Sequence, residues 1–98
     1  MTLFFMMLTN ANAQYLAMDG FTCAQVIKFD RNNNKRDIVR TEDWILGYVT
    51  GFNYALSGNV GMDATPEGLF YAMLNYCEEN PLSSVAEGAE YIIINLID

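Results

Sequence analysis

Few residues in this chain are suited to chemistry: two cysteines, Cys23 and Cys77, and two adjacent acidic pairs, Glu42–Asp43 and Glu78–Glu79. The cysteines lie far apart and form no C-x-x-C, so they lack the spacing of a zinc ribbon or a dithiol redox motif. There is no histidine. That removes imidazole metal sites, imidazole general bases, the usual partner of a catalytic thiol and a charge switch near pH 6. In a reducing compartment the two thiols would be small buried side chains. In an exported chain they would be joined as a structural disulfide, tying the first helix to the end of the third. The acidic pairs could serve glycosidic chemistry only across a cleft; at a helix start and an exposed turn they read as solvated charge. Asp30-x-Asn32-x-Asn34 opens like an EF-hand loop, but Lys35 and Thr41 stand where its glycine and bidentate glutamate belong. No phosphate loop, nucleophile elbow or zinc spacing occurs. The expectation is a non-enzymatic chain with no catalytic residue, no metal and no cofactor.

The elements that must carry these residues read as helices. Thr41 to Gly58 places Trp44, Tyr48, Phe52 and Leu56 on one stripe, with Gly47, Gly51 and Ala55 on a second, about 60° round the axis. Two interior glycines cost roughly 1 kcal/mol each against Ala, so close approach of a neighbouring helix is expected to offset them. This is expected to be the central helix, capped by Thr41 and stopped at Gly58, with Trp44, Gly47, Tyr48, Gly51 and Phe52 as its packing residues. Before it, a short helix begins at Thr22 with Cys23, Val26, Ile27 and Phe29 as apolar positions. Asp30–Arg40 between them reads as a polar break. After the Asn59–Ala64 loop, Thr65-Pro66 starts a third helix with Leu69, Ala72, Met73, Tyr76 and Cys77 on one face. Asn80-Pro81 ends it, with Asn80 also capping a last helix that has Pro81 at its first position and apolar residues from Leu82 to Leu96. Tyr91–Ile94 is β-branched and aromatic, yet no partner strand is in sight, so helix is favoured. The fold class is all-α: a small four-helix bundle with a short first helix, stapled by one disulfide.

Ninety-eight residues make one small domain, and 52% hydrophobic residues suffice for its core. Leu3–Leu8 is an apolar run followed by Ala11-Asn12-Ala13, a signal-peptidase-like site before Gln14. Residues 1–13 therefore read as an export signal whose basic start lies upstream, and 14–98 as the domain; the alternative is an N-terminal helix packed on the body. Six apolar residues are far too few for a membrane span, which needs about 20. The net charge is −7, which argues against nucleic acid and anionic lipid. All five bases (Lys28, Arg31, Lys35, Arg36, Arg40) fall between 28 and 40, and from Thr41 onward every formal charge is acidic. In strong acid the carboxylates protonate and the net charge swings towards about +5. Carboxylates paired with the basic cluster would then release their stabilisation as the pH falls. Aromatic residues exceed what one core needs, and Tyr54, Phe70 and Tyr71, off the main stripes, are candidate interface residues.

The ordered set Phe21-Thr22-Cys23, Trp44-x-x-Gly47-Tyr48-x-x-Gly51 and Cys77-x-x-Asn80-Pro81, followed by an Ala-containing last helix, resembles the HdeA/HdeB family over residues 20–97. The resemblance implies a small periplasmic all-helical protein with Cys23 and Cys77 disulfide-bonded. It further implies an ATP-independent acid-stress chaperone, a homodimer near neutrality that loosens in acid and holds unfolding client proteins. Exported immunity proteins that neutralise secreted toxins have a similar Gly-Tyr-x-x-Gly helix and Cys-to-Asn-Pro ending. That second resemblance implies one specific protein partner instead.

Overall fold

The computed structural model describes residues 21–97, and within them the chain forms four helices and no strand. The expected signal segment and the Tyr15–Gly20 lead-in lie outside the described residues. Helix α1 spans Cys23–Arg31, and Thr22 and Gln25 close a capping box at its start: each side chain accepts from the other's backbone N–H. The three asparagines that follow divide the turn between them. Asn32 caps α1, Asn33 takes the left-handed conformation (φ 51°) that asparagine tolerates, and Asn34 caps the next helix by accepting from the Asp37 N–H at 3.2 Å.

Helix α2 spans Lys35–Leu56, so the polar break is three residues long and not eleven. Thr41 is therefore no N-cap. It sits mid-helix, fully buried, and its hydroxyl donates to the Asp37 carbonyl at 2.8 Å. The reason is a stripe, Ile38, Thr41, Ile45 and Val49, which turns inward and extends the helix backward through residues that look like a charged loop. The helix ends at Ser57, the left-handed residue (φ 53°), one place before the expected Gly58. Asn53, the odd polar residue of this stretch, holds the return: its amide donates to the Val60 carbonyl at 2.9 Å and accepts from the Val60 N–H at 2.8 Å.

Helix α3 spans Pro66–Glu79, with Thr65 as cap and proline in its first turn, as expected. It packs against all three other helices. For that reason its buried face, Leu69, Phe70, Met73, Leu74 and Cys77, is wider than a single stripe. Phe70, expected at an interface, is in the core at 3% exposure. α3 is thus the helix the rest surrounds, the place the sequence reading gave to α2.

Helix α4 spans Val85–Ile97, four residues later than expected; Asn80 caps the end of α3 instead, and Leu82 is fully exposed. Backbone pairing sets this boundary. The Cys23 N–H donates to the Ser83 carbonyl and the Val85 N–H to the Phe21 carbonyl, both at 3.0 Å, with Thr22 and Ser84 forming an antiparallel bridge. An extended backbone at 83–84 is incompatible with helix, and α4 can begin only after it. Ser84 then caps it: the Glu87 N–H donates to the Ser84 hydroxyl at 3.1 Å, and the Ser84 N–H to the Glu87 carboxylate at 3.0 Å. Tyr91–Ile94 is helical. Directly under the bridge, Cys23 and Cys77 are disulfide-bonded, with both residues fully buried and their Cα atoms 4.8 Å apart. Closing a loop of 54 residues restricts the unfolded chain by about 4 kcal/mol in the chain-entropy model. For a domain this small that is a large fraction of its stability.

Candidate functional site

Of the disulfide, packing and interface residues singled out in the sequence, Cys23, Cys77 and Phe70 are in the core, Tyr71 is exposed on α3, and the rest lie on α2. One surface lies along α2 at the edge of the core. Trp44 and Tyr48 pack against each other with ring centroids 5.3 Å apart, and with Phe52 they lie half-buried at the edge of the core. Glu90 of α4 lies close enough to Tyr48 to raise its phenol above the ordinary value, an effect second to partial burial, so this stripe runs along the side of α2 that meets α4. Tyr54 is 89% exposed.

Gly47 and Gly51 are not where a neighbour closes in. A methyl group built on either meets nothing within 4 Å outside its own turn of helix, so among the described residues both face open space. The close approach is made by Gly88 of α4. A Cβ there would stand 2.5 Å from the Met73 sulfur and 2.9 Å from Cδ2 of Tyr76, both on α3. Gly88 carried no expectation because it stands alone, without a glycine four residues away to draw attention.

The second surface lies between α3 and α4, a groove of about 370 Å³ lined by Ala72, Asn75, Tyr76, Glu79, Tyr91, Ile92, Asn95 and Leu96. Tyr76 and Tyr91 stack at 5.2 Å with their planes tilted by 37°. The Tyr76 hydroxyl shares a hydrogen bond of 2.8 Å with Ser83, and Ser83 donates to the Glu87 carboxylate at 2.6 Å. Those donors, Ser83 first and then Ser84, hold the Glu87 carboxyl below the ordinary carboxylate range. The ring pair is therefore anchored through the cap of α4. Sequence reasoning placed Tyr76 in the core and gave Tyr91 no site; Ser84-x-x-Glu87 was the legible signal for the cap that orients them.

The chemistry weighed in the sequence takes structural form here. Both thiols are consumed in the disulfide. Glu78 and Glu79 are adjacent and exposed on α3, and adjacent helical positions do not converge on one point. Asp30 and the asparagines serve the α1–α2 turn, and among the described residues no three His, Cys, Asp or Glu side chains come together as a metal site. Electrostatically, Arg40 pairs with Asp37 at 3.1 Å and lies over the Phe21 ring at 5.4 Å. Among the described residues this is the one ion pair, it lies within α2, and the acids of α3 and α4 have no basic partner. No helix is long and apolar enough to cross a membrane, among the described residues. No family model, curated protein or solved structure matches the chain.

Proposed function

We propose that the protein is an exported, ATP-independent holdase: a periplasmic homodimer near neutral pH that engages unfolding proteins in strong acid. One observation carries the reading. Tyr54, Leu56, Met62, Tyr71, Leu82, Ile94 and Ile97 are all exposed, and all lie beyond Thr41, where every formal charge is acidic. In acid that region loses its charge and is left as apolar surface on a cross-linked frame. Capture of clients then needs no nucleotide and no catalytic group. The test is suppression of aggregation of acid-unfolding proteins at about pH 2–3, with no suppression at pH 7. Equal aggregation with and without the protein in acid would end the reading. Light scattering at both pH values reports the dimer.

A second reading has its own observation in its favour. A defined groove between α3 and α4, with an anchored tyrosine pair and a carboxylate, is a surface for one dedicated protein partner, as a toxin-neutralising immunity protein would need. Nanomolar binding of a single partner at neutral pH, without general holding activity, would mark this reading.

A further inference from the structure

We infer that the α3–α4 groove is a docking site for a basic segment of a partner protein, taking a lysine or arginine side chain against the Tyr76–Tyr91 pair and Glu79. The inference gives the dedicated-partner reading its surface, and it stands or falls separately from holding activity in acid.

Three features of the groove fit that occupant. Tyr91 is 53% exposed and stacked on a Tyr76 that is hydrogen-bonded in place, so aromatic faces are presented without further ordering. Aromatic faces attract ammonium and guanidinium groups within about 6 Å of the ring centroid. Ile92 and Leu96 beside them supply apolar surface for the methylene stem of such a side chain. Glu79 is the charged residue of the lining, and a carboxylate next to an aromatic pair completes the complement of a cation.

The surroundings reinforce the sign. The remaining charges of the two helices that form the groove are Glu67 and Glu78 on α3 and Glu87 and Glu90 on α4, all carboxylates. On the helices packed behind, α1 carries Lys28, Asp30 and Arg31. α2 carries Lys35, Arg36, Asp37, Arg40, Glu42 and Asp43. None of these lines the groove. Among the described residues, therefore, no base competes for Glu79 there. The field over the groove is negative at neutral pH, which draws in a basic segment and weakens with salt and with protonation. This pH dependence runs opposite to that of the holdase activity, so the two are separable by one titration.

The test uses the full disulfide-bonded chain and a fluorescein-labelled lysine/leucine amphipathic peptide, with a glutamate/leucine peptide as control, read by anisotropy. Saturable binding of the basic peptide, and not of the glutamate/leucine control, is expected at pH 7, falling several-fold on raising salt from about 50 to 200 mM. Glu79→Gln should weaken it at least fivefold, and Asn95→Lys, which sets a fixed positive charge in the groove, at least tenfold. Glu67→Gln removes the same charge from the far end of α3 and should change it less than twofold. Near-UV circular dichroism checks that each variant is folded; all three sites are exposed. Equal weakening by Glu67→Gln and Glu79→Gln would reduce the effect to diffuse charge and overturn the inference. So would binding unaffected by salt, no binding by the wild type, or self-association abolished by Glu79→Gln, which would make a second copy the occupant. Aggregation suppression in acid, measured on the same samples, reports on the holdase reading independently.

Discussion

The glycines of α2 and α4 should respond to the same substitution with opposite signs. Gly47 and Gly51 lie inside a long helix and, among the described residues, have open space where a Cβ would be. Replacing each by alanine removes the helix penalty of about 0.8–1.0 kcal/mol with no clash to set against it. Gly47→Ala/Gly51→Ala should therefore stabilise the folded chain by about 2 kcal/mol, or roughly 10 °C in Tm for a domain of this size. Gly88→Ala gains the same helix propensity but drives its methyl into Met73 and Tyr76. Met73 has no exposed surface into which to retreat. Overpacking costs about 1–3 kcal/mol, so the net change is a loss of up to about 2 kcal/mol. Thermal unfolding by circular dichroism at pH 7, repeated over a tenfold range of protein concentration, measures both variants. A Gly47→Ala/Gly51→Ala protein less stable than wild type would refute the reasoning. If its deficit grew with concentration, another molecule would be covering these glycines.

Other substitutions test other joints. Cys23→Ala/Cys77→Ala should lose about 4 kcal/mol in urea unfolding, with a larger m-value as the unlinked denatured chain expands; a loss under about 1.5 kcal/mol would contradict the chain-entropy account. Asn53→Ala leaves both Val60 backbone groups without partners and should cost about 1–3 kcal/mol, with faster amide exchange in the 58–64 loop. Ser84→Ala should cost about 1 kcal/mol through the lost α4 cap. Glu87 is held below its ordinary value, so the folded state binds its proton later than the unfolded chain as pH falls. Its stabilisation is present above the ordinary carboxylate range near 4.5 and lost as pH falls through the folded value. Between about pH 5 and 3, Glu87→Gln should thus lose less stability than wild type; parallel curves would show that the cap is not titrating.

Periodicity and local chemistry made the helices themselves legible. Thr65-Pro66 and Thr22 announce helix starts because a capping hydroxyl and a donor-free first residue act within one turn. The cysteines named the staple once export was assumed, and a run of only acids after Thr41 was plain to read. What failed were inferences about which face meets what. An aromatic stripe beside a glycine stripe looks like a packing surface, yet α2 turns Thr41, Ile45 and Val49 inward and leaves the glycines bare, because burial depends on where the other helices stand. Phe70 went to the core and Gly88 became the point of close approach because α3 is enclosed on three sides, a condition no residue on α3 records. Likewise the start of α4 is decided by hydrogen bonds to Phe21 and Cys23, which are remote in sequence. Helical propensity, the caps at Thr22 and Thr65 and the charge pattern are properties of neighbours along the chain, and the sequence alone determined them. The groove, the tyrosine pair and the exposed glycines are relations between helices, and only the tertiary packing could decide them.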